Sequence, residues 1–373
     1  MVEMEGNRMR INLERNIDES YDIVFGEGLF PSIGEELKDM KLGRYAIITD
    51  SNVGKLYGDD LKKVLRGNNV STELFTFKAG EKSKNIGTCM EIMGEMSKNK
   101  YGRDSAILAL GGGVVGDMAG FMAAIFNRGV PYIQIPTTVL AQADSSIGGK
   151  TAVDTEYGKN LVGAFKQPEK VYIDVSTLNT LPDKEFKSGL AETLKHGVIQ
   201  DSEFLDFLDI NHMQIMKRLP DYMEYIAKKN CEIKGNVVEQ DPHEKGIRRI
   251  LNYGHTVGHA IEKLSGYKLT HGEAVAIGMM VAGRIASYIG GLDPAYVEMQ
   301  ERALDNMDLP TKIPKEISDE EIIELTSMDK KAKDGKARYV LPSKLGEMNN
   351  FHGTYATYVH NDIVSAALKA TRY

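Results

Sequence analysis

Three of the chain's eight histidines fall in one stretch, LNYGHTVGHAIEKLSGYKLTHGEAVAIG, residues 251–278. His255 and His259 are four apart, so on a helix they share a face. Gly254 and Gly258 repeat that spacing and strip the neighbouring stripe of side chains, which lets another segment approach the backbone. His271 follows a short loop with its own turn residues, Ser265 and Gly266, and a second helix is expected from Glu273. Two helical histidines and a third ligand arriving from a loop build an open divalent-metal site. A helix with two surface histidines shows the same HxxxH spacing, and it is the third histidine, flanked by glycine and glutamate, that favours the metal. The zinc-protease form HExxH is absent, because Thr256 follows His255. Glu192, read at the start of a helix with Lys195 and His196, is a candidate carboxylate ligand. The helix dipole alone also favours a glutamate in a first turn.

A second group of residues suits anions. Gly111-x-Gly113-x-x-Gly116 follows an apolar strand and opens a helix. In that context the glycines permit a tight turn and close approach of a pyrophosphate, and the helix N-terminus supplies N–H donors. A tightly packed strand–helix corner reads the same way. No acidic residue lies about 20 positions downstream for the ribose hydroxyls. Asp50, ending an earlier strand, is the candidate instead, with a strand order that differs from the usual one. Asp117 suits the helix start as a cap or as a ligand contact. Asp144-Ser-Ser-Ile-Gly-Gly-Lys150-Thr151 is rich in donors but lacks the first glycine of GxxxxGK(S/T), which excludes a triphosphate P-loop. Lys150 in its Gly-Gly turn still suits a phosphate or carboxylate. Lys159 and Asn160 follow a Tyr157-Gly158 turn, and a solvated basic loop explains Lys159 alone. Lys234, Arg248 and Asn252 precede the histidines.

The elements that must position these residues read as α/β. Tyr45–Asp50, Ser71–Phe77, Ser105–Leu110, Tyr132–Ile135 and Val171–Asp174 are strands alternating with helices, which implies a parallel sheet covered on both faces. From about Phe186 helical patterns dominate: Glu203–Leu208, Met213–Ile233, Leu251–Leu264, Glu273–Ile289 and Ala295–Asn306. Ser318–Glu321 reads as a capping box, Asp334-Gly335 as a turn, and Asn361 as the cap of a terminal helix. The expected organisation is a Rossmann-like dinucleotide-binding domain over 1–183 and a mostly helical metal- and substrate-binding domain over 184–373.

Composition narrows the function. The chain has 373 residues, 42% of them hydrophobic and 27% charged, and a net charge of -7. An acidic balance argues against a nucleic-acid partner but leaves room for a local basic pocket. Cys89 and Cys231 are far apart and read as buried thiols of a reducing compartment, the cytoplasm. The N-terminus lacks an apolar signal-peptide region. The longest apolar run, residues 106–126, is interrupted by Asp117 and rich in glycine, so no membrane span is expected.

Taken together, Gly80-Glu81 with Lys84, GGGVVGD, Pro136-Thr137-Thr138, DSSIGGKT, GKNLVGAF, Leu181-Pro182, GLAE, the Lys234–His259 block and LTHGEAVAIG resemble the 3-dehydroquinate synthase family over nearly the whole chain. Departures are small: Ala143 and Ile147 stand where valines are common, and Ala152-Val153-Asp154 where an asparagine often ends the run. The resemblance implies NAD, one divalent metal (zinc or cobalt) and a homodimer. It implies Glu192, His255 and His271 as metal ligands and His259 as the proton-transfer group beside them. By the same resemblance Asp50, Glu81, Lys84, Gly112, Gly113, Val114, Val115, Gly116, Asp117, Thr137, Thr138, Lys150, Lys159 and Thr177-Leu178-Asn179-Thr180 hold NAD. Asp144, Lys150, Asn160, Lys195, Lys234, Arg248 and Asn252 surround a sugar phosphate, Arg128 reaches a neighbouring subunit's site, and Lys330 or Lys331 approaches the phosphate. The implied reaction oxidises the substrate transiently, eliminates phosphate, re-reduces and closes a carbocycle by an aldol step. A sister sugar-phosphate cyclase is the nearest alternative, and the GGKT after DSSI argues against it. A polyol dehydrogenase has no need of Lys150, Asn160 and Arg248. A metal-binding structural protein leaves the glycine-rich segment unexplained.

Overall fold

The computed structural model describes residues 2–5, 8–11, 18–40, 42–328 and 336–372. A small antiparallel pair, β1 (Val2–Glu5) and β2 (Arg8–Ile11), precedes the α/β part. There β3 (Asp22–Gly26), α1 (Phe30–Asp39), β4 (Arg44–Asp50), α2 (Asp59–Gly67), β5 (Thr72–Phe77), α3 (Ile86–Lys98), β6 (Ser105–Gly111), α4 (Gly113–Ile125) and β7 (Tyr132–Pro136) alternate. A hairpin, β8 (Lys150–Thr155) and β9 (Gly158–Phe165), comes before β10 (Lys170–Asp174). The six-stranded sheet has the order β3-β10-β7-β6-β4-β5, and its pairs are parallel.

Alternation along the strands sends neighbours to opposite faces. Ala46, Ile48, Ile107 and Ala109 pack with Met93, Val115 and Met118 on one side. Tyr45, Ile47, Ala106 and Leu108 pack with Ile33, Leu37 and Leu61 on the other. Both faces are therefore covered, as near-continuous apolar strands require. β4 pairs directly with β6. That order brings Asp50 to the same sheet edge as the glycine turn after β6, where ligands of open α/β sheets bind.

The remaining chain is mostly helical, with α5 (Asp183–Gln200), α6 (Ser202–Ile210), α7 (His212–Met216), α8 (Pro220–Gln240), α9 (His255–Leu264), α10 (His271–Tyr288), α11 (Pro294–Asn306), α12 (Asp319–Met328) and α13 (Asn361–Ala370), and between the last two helices short antiparallel pairs join Arg338–Tyr339 to Thr357–Tyr358 and Pro342–Lys344 to Glu347–Met348. A third core includes Val171 and Ile173 of the sheet together with buried residues of these helices. No described helix is long and apolar enough to cross a membrane.

Several local expectations change. Met213–Ile233 is two helices, because Arg218 takes φ 57° and Pro220 restarts the chain at an N-terminal helical position. The Leu251–Leu264 helix begins at His255, since Ile247–Asn252 is a 3-10 turn and Gly254 sits at φ 77°. His360, not Asn361, caps the last helix. Lys150, read in a Gly-Gly turn, and Lys159-Asn160, read after a Tyr157-Gly158 turn, lie on the two strands of the β8–β9 hairpin. The Ser318 capping box is present. Asp334-Gly335 lies outside the described residues.

Candidate active site

The close approach anticipated at Gly254 and Gly258 is made by α10. A Cβ on Gly258 would lie 3.0 Å from Val275 Cα, and one on Gly278 would lie 2.0 Å from the Gly254 carbonyl oxygen. The two helices therefore meet backbone to backbone, and their N-terminal histidines converge. The ring centroids of His255, His259 and His271 lie 5.2–5.8 Å apart. His271 is the first residue of α10 and does not project from the preceding loop. Thr270 caps that helix in a reciprocal box with Glu273.

Glu192 completes the cluster. It sits in the middle of α5, fully buried, so a first-turn dipole does not account for it. His255 Nε2 and His271 Nε2 approach the same oxygen, Glu192 Oε1, at 3.4 and 3.2 Å. Both rings are held from behind through Nδ1, His255 by the Tyr253 carbonyl at 3.0 Å and His271 by Glu262 Oε2 at 3.3 Å. That leaves each Nε2 facing a buried carboxylate, with the ring orientation fixed from the other side, which is how proteins orient metal-ligating histidines. The three ligand atoms lie within 4.8 Å of one another. This donor set of two imidazole nitrogens and one carboxylate fits a divalent ion such as zinc or cobalt.

The cluster belongs to a longer chain of alternating charge. Lys234 Nζ bonds Asp144 Oδ1 in a short contact, and Asp144 Oδ2 lies 3.7 Å from Lys195. Lys195 lies 2.5 Å from Glu192, and Glu192 3.2 Å from His271. His271 then meets Glu262 at 3.3 Å, Glu262 meets Lys159 at 2.9 Å, and Lys159 lies 3.7 Å from Glu81. Alternation lets the buried members of this chain coexist, while Lys159 and Glu81 at its end are exposed. Burial alone would raise the Glu192 carboxyl, but Lys195, His255 and His271 outweigh it and hold it well below the carboxylate range. Asp144 is likewise held low against burial by Lys234 and Lys195. Burial opposes a proton on His271, yet the bonds to Glu192 and Glu262 raise its pKa to about 9.

One consequence is testable. Near pH 7 the metal-free His271 carries a proton that an incoming ion must displace. Co2+ titrations in buffers of different ionisation enthalpy should show about one proton released per ion, with apparent affinity rising up to about pH 9. The same raised pKa stabilises the metal-free fold fully below the unfolded histidine value, and this contribution fades as pH climbs through about 9.

Around the glycine turn, Gly112 is the N-cap of α4 and Gly113 its first residue. A Cβ on Gly112 would meet Thr138 at 3.1 Å, and one on Gly113 would meet Ser145 at 3.2 Å, so both glycines keep a crevice open. Thr137 Oγ1 is buried beside it without a hydrogen-bond partner. These features fit a bound pyrophosphate. Gly116 serves packing, because a Cβ there would meet Gln134 at 2.7 Å. Val115 is buried in the core, and Val114 packs against the same cluster. Asp50 accepts from the Asn52 and Val53 backbone N–H groups at the end of β4. Asp117 is no cap: it pairs with Lys84 at 2.6 Å, and Lys84 donates to Asn160 at 2.6 Å, which ties the hairpin to α4. In the Thr177–Thr180 segment, the Leu178 and Asn179 carbonyls accept from Arg218, and the Thr180 hydroxyl lies 2.5 Å from Tyr57.

A second polar network closes the site. Lys150 Nζ makes a short contact to Glu244, and Asn252 donates to the same carboxylate at 2.8 Å. Arg248 is buried and donates to the carbonyls of Gly148 (2.9 Å) and Pro242 (2.6 Å), so it braces the loop that carries Lys150. Arg128 is exposed beyond the end of α4 at φ 72°. It is not part of this centre. Lys330 and Lys331 lie outside the described residues. Sequence reasoning missed Glu262 and Glu244. Glu262 falls on the His255–His259 face of α9, three residues past His259, a signal that was there to be read.

Comparison with known proteins places this geometry. Residues 74–188 match the family model "3-dehydroquinate synthase N-terminal", and residues 189–332 match "3-dehydroquinate synthase C-terminal". A 3-dehydroquinate synthase of Prochlorococcus marinus (strain AS9601) is 44% identical over 340 residues, 89% of this chain and 93% of that protein. Among solved structures, a 2-deoxy-scyllo-inosose synthase complexed with carbaglucose-6-phosphate, NAD+ and Co2+ superposes with TM-score 0.85 at 27% identity, covering 94% of this chain and 96% of that one. A 2-epi-5-epi-valiolone synthase from Streptomyces hygroscopicus subsp. jinggangensis 5008, with NAD+ and Zn2+ bound, gives TM-score 0.85 at 27% identity, covering 97% and 99%.

Proposed function

The chain belongs to the 3-dehydroquinate synthase family, and from that premise we propose that the Glu192–His255–His271 centre and the adjoining glycine crevice convert 3-deoxy-D-arabino-heptulosonate 7-phosphate to 3-dehydroquinate and phosphate. The observation that carries the reading is the convergence of two imidazole Nε2 atoms on one buried Glu192 oxygen, joined by alternating charges to the hairpin of the α/β part. Identity separates this activity from its sister cyclases, at 44% against 27%.

When bound, a divalent ion at Glu192, His255 and His271 lowers the pKa of a neighbouring hydroxyl, and NAD at the crevice offers a reversible hydride acceptor. The chain's own groups do the rest. Lys150, Lys195, Lys234 and Arg248 concentrate positive charge in an acidic protein, which suits a substrate carrying a carboxylate and a phosphate. The Glu244 carboxylate, shared by Lys150 and Asn252, marks a position where an anion is already welcome. His259 stands beside the two ligating rings, where it takes or returns the proton of the hydroxyl that is oxidised. Oxidation acidifies the adjacent C–H, and the substrate's own phosphate accepts that proton as it leaves. Asn160 and Lys84 hold the hairpin against α4 and keep the reacting parts in register. As in the family, the assembly is a homodimer to which Arg128 contributes across the interface.

The direct test is phosphate release by purified, metal-loaded protein with NAD and the heptulosonate phosphate, identifying the carbocycle by mass. Phosphate with 3-dehydroquinate and no net NADH is expected. Phosphate released from glucose 6-phosphate or sedoheptulose 7-phosphate instead would move the chain to a sister cyclase, and net NADH from a simple polyol would make it a dehydrogenase. Lys150→Ala should raise the substrate KM by about 10- to 100-fold, the scale of one lost charged hydrogen bond. Its bound metal, measured by elemental analysis, should stay at the wild-type level; metal loss would make Lys150 structural.

A further inference from the structure

Glu262 is a glutamate only 8% exposed, and a buried carboxylate is costly unless its oxygens find partners. Each oxygen has a different one. Oε2 faces His271 Nδ1 at 3.3 Å, and Oε1 faces Lys159 Nζ at 2.9 Å. The two ligating histidines are thus oriented differently. His255 leans on a backbone carbonyl of its own segment, Tyr253. His271 leans on a side chain that at the same time holds a residue of the β8–β9 hairpin. Lys159 in turn lies 3.7 Å from Glu81 and 4.9 Å from the ring centroid of Tyr267. The His271–Glu262–Lys159 link therefore spans from the helical cluster to the α/β side of the site.

We propose that Glu262 is a positioning residue that couples the two halves of the site: one oxygen fixes His271 with Nε2 free for a divalent ion, and the other fixes Lys159 on the dinucleotide side. The inference rests on the reading above that the cluster holds a metal and the crevice NAD. An amide cannot do both jobs. Glutamine offers one acceptor oxygen and one NH2 group, so it serves His271 or Lys159 but not the two together.

The test uses the full chain with Co2+ and NAD+ as probes. In Glu262→Gln, Co2+ affinity by chelator competition should fall about 10- to 100-fold, as when other orienting partners of metal ligands are lost. The visible absorption bands of bound Co2+ should shift, and NAD+ affinity should fall severalfold. In the wild type each ligand should change the dissociation constant of the other by a common factor, and in the variant that factor should approach one. Lys159→Met reads the same link from its exposed end: the mutual factor should collapse while the Co2+ spectrum stays unchanged. A Glu262→Gln protein with a lower melting temperature but unchanged Co2+ affinity and spectrum overturns the proposal, as does a mutual factor that survives Lys159→Met. A wild-type protein that binds neither Co2+ nor NAD+ overturns the functional reading and this inference with it, an outcome distinguishable from the others because it appears before any substitution is made.

Discussion

Glu192→Gln is expected to abolish stoichiometric divalent-metal binding and to lower kcat/KM by about a thousandfold or more, the effect of losing some 4 kcal/mol of transition-state stabilisation. The change is nearly isosteric, so shape is not what it removes. It removes the anionic oxygen on which His255 Nε2 and His271 Nε2 converge at 3.4 and 3.2 Å. It also takes the nearest counter-charge from Lys195, which lies 2.5 Å away and is wholly buried. Asp144, 3.7 Å off, remains and softens that loss. Stability should therefore fall by about 3 kcal/mol, the lower end for breaking a buried ion pair. Metal analysis after dialysis, steady-state kinetics and a denaturant midpoint measure the three effects separately. A variant that keeps its metal and its turnover would remove Glu192 from the centre.

Much of this arrangement is legible before folding, and particular residues show why the rest is not. The strands are visible because Tyr45–Ile48 and Ala106–Leu110 are unbroken apolar runs, which a two-face-covered sheet needs. His255 and His259 are visible through helical spacing, and Gly254 and Gly258 because they repeat it, whereas the part of Gly278 in the backbone contact appears only in the fold. The β8–β9 hairpin is hidden: its strands carry Lys150, Asp154, Lys159 and Asn160, and β9 is largely exposed, so the alternation that marks a half-buried strand is missing. Glu192 reads as an ordinary first-turn glutamate because the start of its helix is not marked by a strong cap. Only its mid-helix burial exposes it as unusual. Glu262 and Glu244 hide for another reason. A glutamate on a helix or loop is normally solvated, and beyond the place of Glu262 on the His255–His259 face nothing local announces that Lys159, His271, Lys150 and Asn252 will close around these two. Pairings distant in sequence are made by the fold.

Asp144 should prove the most stability-critical charge outside the metal ligands. Its carboxylate holds two buried ammonium groups, Lys234 by a short bond and Lys195 at 3.7 Å. Neither lysine side chain is more than 7% exposed. Asp144→Ala takes a counter-charge from both cations, and breaking a buried pair from one side costs about 3–5 kcal/mol. Lys195 keeps Glu192, so the penalty concentrates on Lys234, whose pKa burial already lowers. A double-variant cycle isolates that penalty: Asp144→Ala with Lys234→Met should recover most of the lost denaturant midpoint, because the second change removes the uncompensated charge. Turnover should stay lost in both, since Lys234 belongs to the proposed anion-binding group. The pH profile gives a second readout. Asp144 has a depressed folded pKa, so its contribution is present above the unfolded aspartate value and is lost as pH falls through the folded one. The variants should accordingly lose less stability than the wild type between neutral and strongly acidic pH. Equal acid sensitivity in all three proteins would mean that the Lys234–Asp144–Lys195 contact does not hold the fold together, and that its alternating charges serve binding alone.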